Sequence, residues 1–482
     1  MINFNNTYSK LPERFFKRNK PAHFPDPKLL AFNTELAAEL EIAGPVPGIE
    51  NRAEENVYAD DDLAHVFSGQ KILPGSEPLS QAYAGYQFGQ PVAQLGDGRA
   101  HYLGETNGFE VQLKGSGRTA FSRGGDGRSS LGPVIREYLV SEAMAALGVP
   151  TTRALAAVRT GEEVVRQFGP EPGGVFTRVA PTHVRVGTFQ YFAFKNDLEA
   201  IEILLKYVVE HFYPELQNLP VADQCIGVLQ ALTCRQAELI AHWKSLGFIH
   251  GVMNTDNFSV VGITIDYGPC AFMDQFSYDK VFSSIDHSRR YSYANQTAIA
   301  KWNLFRLADC FVPLVDDDEA QSVQLLTAAL EEKLEMFEKA EHKAMTAKLG
   351  LPPGTEQTEL VYLFLAYCEN EQLDFTLAFR NLPELYCNQT DFFPQTTELS
   401  AFTEKWKAHK PDVEKLHAVN PLIIPRNHQV ERVIQSCYQG NDEAFLQMLE
   451  AGKKPFEKNE AFADFAMPPK GNEIVRHTYC GT

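Results

Sequence analysis

Residues 249–268 read Ile-His-Gly-Val-Met-Asn-Thr-Asp-Asn-Phe-Ser-Val-Val-Gly-Ile-Thr-Ile-Asp-Tyr-Gly, and their side-chain oxygens are the first that could do chemistry. Residues 258–261 and 263–265 are short β-branched or aromatic runs that meet at Gly262, a pattern that predicts a hairpin. Antiparallel pairing of those runs would make Asn257 and Asp266 cross-strand neighbours, with Cα atoms roughly 5 Å apart. An amide oxygen and a carboxylate so placed can hold one hard divalent cation, completed by water and nucleotide phosphates. The stretch is therefore expected to be a metal-nucleotide site.

Its spacing resembles the protein-kinase catalytic loop, H-R-D-x-x-x-x-N followed by D-F-G. His250 takes the histidine position, Asn257 the asparagine, and Asp266-Tyr267-Gly268 the D-F-G. One member is missing. Val252 stands where the kinase keeps its catalytic aspartate, and a valine cannot accept a proton from a hydroxyl. Asp256, next to Asn257, is the nearest replacement carboxylate. Asn and Asp ordinarily punctuate turns; three matched positions in one stretch set this run apart from that use.

Such a site needs cations upstream. Residues 96–136 hold ten of the 33 glycines and six basic residues, Arg99, Lys114, Arg118, Arg123, Arg128 and Arg136, against four acidic ones. In a chain of net charge −18 that is a local anion trap. Leu95-Gly96-Asp97-Gly98-Arg99 can form a turn whose backbone N–H groups approach a phosphate. Residues 109–114 alternate as a strand ending in Lys114, like the V-A-I-K element that pairs with nucleotide phosphates. Residues 115–127 then form a flexible loop carrying Arg118, Arg123 and Asp126-Gly127.

A helix starts at Pro133, with an apolar stripe through Val134, Ile135, Tyr138, Leu139 and Ala143, and stops at Gly148 and Pro150. Glu137 lies on it 23 residues beyond Lys114, a workable spacing for the lysine-glutamate pair of kinases; Glu142 is the competing carboxylate. Residues 154–159 and 175–180 read as strands. Arg178 and Arg185 follow, and guanidinium forks suit phosphate oxygens, with surface salt bridging the equal alternative.

Beyond Asn196 or Asp197 as N-cap the chain turns helical, over 198–208, from about 224 to 246, over 298–309 and over 319–349, with more helix to about Trp406. The last 75 residues read as polar. Residues 1 to about 75 are rich in Pro and Asn, with Phe15, Phe16 and Phe24 expected to pack this arm on the body. With 482 residues and 44% hydrophobic content, the chain suits a globular protein of two or three core-bearing units. No apolar run reaches membrane-helix length, and the acidic balance argues against nucleic-acid or membrane partners. The N-terminus has no basic head followed by an apolar core. Eight cysteines without a CxxC pair suggest neither a zinc site nor a disulfide framework, so a cytoplasmic setting is expected.

Several stretches together carry a more specific resemblance. Residues 4–16 read Phe-Asn-Asn-Thr-Tyr-Ser-Lys-Leu-Pro-Glu-Arg-Phe-Phe, and 95–100 read Leu-Gly-Asp-Gly-Arg-Ala. Leu-Lys-Gly-Ser-Gly at 113–117, Gly-Asp-Gly-Arg at 125–128 and Ile-Arg-Glu-Tyr-Leu at 135–139 follow. Thr-Arg-Val-Ala-Pro-Thr-His-Val-Arg-Val-Gly-Thr-Phe-Gln at 177–190 and Trp-Asn-Leu-Phe-Arg-Leu-Ala at 302–308 complete the set, with the 249–268 run. Over essentially its whole length the chain resembles the selenoprotein O family, the bacterial YdiU-type proteins.

The resemblance implies an α+β, protein-kinase-like two-lobed fold with N- and C-terminal extensions. Residues 1–75 would be the N-terminal extension, 76–195 the N-lobe, 196–405 the helical C-lobe and 406–482 the C-terminal extension. It implies a protein adenylyltransferase that binds ATP in a reversed orientation and moves AMP onto Ser, Thr or Tyr hydroxyls of proteins. Mg2+ or Mn2+ would be the cofactor, and uridylyl transfer from UTP is also associated with bacterial members. Carried over by motif, Gly96, Gly98, Arg99, Lys114, Asp126, Gly127, Arg178, Arg185 and Asp266 would bind nucleotide. Asn257 and Asp266 would hold the metal, Glu137 would support Lys114, and Asp256 would be the proton acceptor. With the nucleotide reversed, pyrophosphate leaves and no base is required at Val252.

Two departures stand out. The family's Gly-His-Gln-Phe-Gly is here Gly85-Tyr86-Gln87-Phe88-Gly89, and its Cys-Asn-His-Ser-Asp run is Phe282-Ser283-Ser284-Ile285-Asp286. Cys480 matches the position of the terminal selenocysteine or cysteine of relatives, so a regulatory disulfide would need another partner, for which Cys270 is the candidate; a free thiol on a frayed tail is the alternative. Two other functions stay open at this point. One is a phosphotransferase using Asp256 as base; the other is a nucleotide-binding pseudokinase scaffold without turnover.

Overall fold

The computed structural model describes residues 4–42, 60–167, 169–389 and 391–479. Among these, a seven-stranded antiparallel sheet forms from β1 (Phe16–Arg18), β2 (Lys28–Phe32), β3 (Leu79–Gln81), β6 (Ala100–Thr106), β7 (Phe109–Lys114), β8 (Arg153–Arg166) and β9 (Gly169–Ala180). Its order is β1-β3-β6-β7-β9-β8-β2. Two small pairs stand apart, β4 (Gly85–Gln87) with β5 (Gln90–Val92), and β10 (Phe248–Ile249) with β11 (Ala271–Phe272). The molecule is thus a mixed α/β structure. The strands expected at 154–159 and 175–180 extend into the long β8–β9 hairpin, and the N-terminal arm supplies both edge strands. Phe15, Phe16 and Phe24 of that arm are buried.

The helix Leu131–Ala146 begins after Ser130 and carries Pro133 in its first turn, where the missing N–H costs nothing. It is apolar nearly all round because it is covered on two sides. Val134, Tyr138 and Leu139 share a core with Ala154, Ala157 and Phe176 of the sheet and with Val430, Val433, Phe445 and Met448. The latter belong to the helices Asn427–Tyr438 and Glu443–Lys453. The C-terminal region read as polar therefore supplies an apolar face; the helix Asn427–Tyr438 is polar on average, and its few apolar residues fall on one side.

A separate core joins the helices Val186–Ala193, Leu198–Phe212, Val221–Ser245, Gln296–Val315 and Glu319–Lys348. The first of the two expected near 300 is longer than its motif, running through Pro313. No helix among the described residues is long and apolar enough to cross a membrane.

The hairpin expected at 258–265 is not formed. Residues 255–257 make a 3-10 turn, and the flanking residues pair elsewhere: Ser259 bridges Arg185 and Thr264 bridges Thr151. Gly262 does turn with φ +76°, but the two apolar runs bury and bond separately to distant backbone, the first to Val184 and Val186 and the second to Pro150 and Thr152. Asn257 and Asp266 are therefore not cross-strand neighbours.

Candidate active site

The antiparallel pair β10–β11 closes the base of a loop that runs from His250 to Cys270. His250 links its two arms. Its Nε2 lies 2.9 Å from the Ile265 carbonyl and its Nδ1 accepts the Val252 N–H at 3.4 Å, while the ring stacks on Trp243. Burial holds this histidine below its ordinary pKa, so it is a neutral clamp at physiological pH. The far side is tied to the sheet. Thr264 donates its N–H to Pro150 O at 2.9 Å and accepts that of Thr152 at 3.0 Å, and Tyr267 bonds Thr151 through its hydroxyl. These contacts hold Asp266 at φ +72°, a left-handed backbone that a residue with a Cβ rarely adopts and that recurs at functional sites.

Four charges converge there. Lys114 Nζ lies 2.7 Å from Glu137 Oε2 and also binds Asp266 Oδ1. Arg178 reaches Asp266 Oδ1 at 3.2 Å and Glu137 Oε1 at 3.4 Å. Burial acts to raise the Asp266 carboxyl, but Lys114, Arg178 and Arg185 outweigh it and hold it well below the usual carboxylate range. Two cations balance two anions, so removing one member strands an uncompensated buried charge. Glu142, the competing carboxylate, is occupied elsewhere by Arg153, at 2.9 Å, and Asn33.

The register explains the convergence. Gln112 and Lys114 point to one face of β7, and Gln112 stands opposite Arg178 on β9. Gln112 accepts from Arg178 at 2.6 Å and donates to Asp97 Oδ2 at 3.1 Å, which also accepts the Gln81 N–H. Sequence reasoning missed Asp97 and Gln112. The two-residue period of β7 was the available signal for Gln112; Asp97 sits in the G-x-G turn as its buried anchor.

Above this chain a cavity of about 590 Å³ is lined by Gly96, Gly98, Arg99, Asp126 and Gly127, together with Tyr83, Phe121, Arg123 and Arg128. That volume is within the range of small-molecule sites. Gly96 has φ +71°, and a Cβ there would come 2.3 Å from the Phe121 ring; Gly127 has φ +70° and would strike Gly117 at 2.2 Å. Gly96 thus makes room for the Phe121 ring, and Gly127 lets backbone approach backbone beside the cavity. Asp126 pairs with the Arg166 guanidinium at 2.8 Å and accepts the Arg128 backbone N–H at 2.8 Å. Arg99 also lines a small void with Lys114, Glu137 and Gly268, so one side chain borders both the cavity and the surroundings of the charged quartet.

Arg185 is buried at the start of the helix Val186–Ala193, over the Tyr83 ring at 4.4 Å, and donates to His183 O and to Asp256 O. One of its terminal nitrogens is buried without a partner, a donor suited to an anion. Asp256 is buried too. Its Oδ1 has no hydrogen-bond partner and Gln87 Nε2 stands 3.5 Å from Oδ2. Burial, partly offset by hydrogen bonding and Arg185, pushes its carboxyl up to about 6.

No cluster of three or more His, Cys, Asp or Glu suited to a metal occurs among the described residues. A cation held largely by phosphate and water needs fewer protein oxygens. Asn257 spends its amide nitrogen on Val252 O at 3.1 Å, and both cations on Asp266 use Oδ1. Among the described residues the Asn257 amide oxygen and Asp266 Oδ2 carry no hydrogen bond, and two such oxygen donors are of the type a hard divalent cation takes. Cys480 lies outside the described residues. Two positions earlier in the sequence, Thr478 donates its hydroxyl to Pro269 O at 2.6 Å and its N–H to Phe282 O at 2.8 Å. Cys270 is buried in the same segment.

A family model described as "Protein adenylyltransferase SelO" matches residues 1–453. Among curated proteins, the chain is 45% identical over 501 residues to the "Protein nucleotidyltransferase YdiU" of Agrobacterium fabrum, covering 100% of both chains. It is 45% identical over 502 residues to that of Rhizobium rhizogenes, with 100% of this chain and 97% of the relative covered. For Nitrobacter hamburgensis the identity is 44% over 501 residues, covering 100% and 96%. A cavity lined by glycines and arginines, with a carboxylate-paired Lys114 and Arg178 close to Arg99 of its wall, suits nucleotidyl transfer, and the chain belongs to the SelO family of nucleotidyltransferases.

Proposed function

We propose that the chain transfers AMP from ATP to Ser, Thr or Tyr hydroxyls of other proteins and releases pyrophosphate, with Mg2+ or Mn2+ required and UTP as a second nucleotide. The observation that carries this reading is the convergence of Lys114, Arg178, Glu137 and Asp266 beside a glycine-lined cavity, with Val252 at the position where a kinase holds its base. In this reading residues 76–195 and 196–405 act as the two lobes of a kinase-like fold, flanked by extensions 1–75 and 406–482, in the cytoplasm.

Gly96, Gly98, Arg99, Asp126 and Gly127 would take one end of the nucleotide, and Lys114, Arg178 and Arg185 its phosphates. Glu137 holds the Lys114 ammonium in place. Asn257 and Asp266 would hold the cation, which supplies charge neutralisation at the phosphates when bound. As the bond to the leaving pyrophosphate breaks, negative charge grows on that group. Lys114 and Arg178 are already oriented by carboxylates and need little rearrangement to meet it, the largest catalytic contribution in such transfers. Asp256 accepts the hydroxyl proton, and its unpaired Oδ1 supports that role.

Incubation with acceptor proteins and ATP labelled at the α or the γ position tests this. Label from the α position on protein, lost in Asp266→Ala, is expected. Label from γ alone would make the chain a phosphotransferase using Asp256, and label from neither would make it a nucleotide-binding scaffold.

A further inference from the structure

Next to Asp256 lies a cationic surface that the reading above does not use. The Arg290 guanidinium carbon is 4.8 Å from the centre of the Trp302 ring, and that of Arg306 is 5.3 Å from the same ring. Tyr86 meets Trp302 edge-on, with ring centres 5.4 Å apart. All four side chains are half-buried. Arg306 shares one terminal nitrogen with Asp309 at 2.8 Å, but Arg290 has no carboxylate within 4.0 Å among the described residues. The Nε atoms of both arginines are buried without a hydrogen-bond partner. In a chain of net charge −18, an arginine held over an indole with no carboxylate opposite it is conspicuous.

This surface is tied to the Asp256 loop by short bonds. Tyr86 donates its N–H to Thr255 Oγ1 at 2.7 Å, and Gln87, the next residue, reaches Asp256. Phe88 N–H and the Tyr291 hydroxyl both donate to Asn254 Oδ1, at 3.0 and 2.6 Å. Arg290 lies against Gly89, where a β-carbon would stand 3.5 Å from its Cζ. Arg290 and the candidate proton acceptor are therefore carried on one interlocked set of loops, against which Trp302 and Arg306 stand on the helix Gln296–Val315. A guanidinium partly desolvated by aromatic packing keeps its N–H edge for a planar anion, and a carboxylate meets it in bidentate fashion.

We propose that Arg290 and Arg306, held on Trp302 and Tyr86, form the seat for an Asp or Glu side chain that flanks the accepting hydroxyl of the protein substrate. The proposal rests on the transfer reading given above and narrows its substrate class to hydroxyls beside acidic residues.

The test uses the full chain with α-labelled ATP and pairs of peptides that carry one Ser, Thr or Tyr, flanked by Glu in one member and Gln in the other. The Glu peptide is expected to show about tenfold higher kcat/KM, through KM, the worth of one charge-assisted hydrogen bond. The advantage shrinks as salt rises. Arg290→Glu should reverse the preference toward Lys-flanked peptides. Arg290→Gln, which removes the charge and keeps most of the packing, should abolish it and guards against a reversal variant that fails to fold. Equal rates for the two peptides, or a preference that survives both substitutions, would overturn the proposal. If no peptide is labelled, the transfer reading fails separately, and fluorescence anisotropy of the same peptides then decides the seat: tighter binding of the Glu member supports it and equal binding refutes it.

Discussion

Asp266 shows how one residue can serve two opposite needs. Its carboxylate compensates Lys114 and Arg178 through Oδ1, yet its second oxygen carries no hydrogen bond among the described residues, and its left-handed backbone is held by His250, Thr264 and Tyr267 around it. Lys348 presents the converse case, a buried cation with no carboxylate within 4.0 Å among the described residues. It is 2% exposed, packed over the rings of Phe379 at 4.3 Å and Phe375 at 5.4 Å, and burial lowers its pKa from 10.5 to about 7. The unfolded chain binds this proton up to about pH 10.5 and the folded chain only below about 7. The native state is thus favoured least, by this group, at and below pH 7, and regains stability as pH rises toward 10.5. Lys348→Met is expected to raise the melting temperature at pH 7 and to raise it less at pH 9. An equal shift at both values would show that the ammonium is solvated in the folded protein.

At the scale of elements, the helix Leu131–Ala146 matters most, because it presents Glu137 to Lys114 while lying between the sheet and the C-terminal helices. Phe445 is fully buried against Tyr138 of that helix, with ring centres 5.7 Å apart. Phe445→Ala removes this support at a cost of about 3–5 kcal/mol. Both the melting temperature and the transfer rate should fall, although Phe445 does not line the cavity; unchanged transfer with a lowered melting temperature would uncouple the C-terminal helices from the site. The meeting of Lys114 with Glu137 was legible in the sequence because it depends on local signals, a strand's end and a helix's stripe. The partners of residues 258–265 were not. A short apolar run reads the same whether it pairs with its neighbour or, as Thr264 does with Thr151, with backbone more than a hundred residues away. Asp97 and Gln112 were hidden for a similar reason, since a buried polar chain is visible only once strand register brings its members together.

For the whole molecule, the C-terminal region closes a circuit that its polar composition concealed. Arg426, fully buried, binds Asp274 at 2.6 Å and Asp374 at 2.7 Å, joining the segment after Asp266 to the helix Phe375–Arg380 and to the C-terminal helices. Arg159 of β8 binds Asp442 at 2.5 Å. The last described residues reach Pro269, three positions beyond Asp266. Both ends of the chain therefore brace the cavity, one through the sheet edges and the other through the helix that carries Glu137 and the segment after Asp266. The account's central claim is that this braced cavity seats a nucleotide with its α-phosphorus toward Asp256. The most direct test is a crystal structure of the protein with a divalent cation and an ATP analogue that cannot be cleaved between the α- and β-phosphates. The account predicts the cation on Asn257 and Asp266, the phosphates on Lys114, Arg178 and Arg185, and the α-phosphate nearest Asp256. A γ-phosphate in that place, or a nucleotide bound away from these residues, would contradict it.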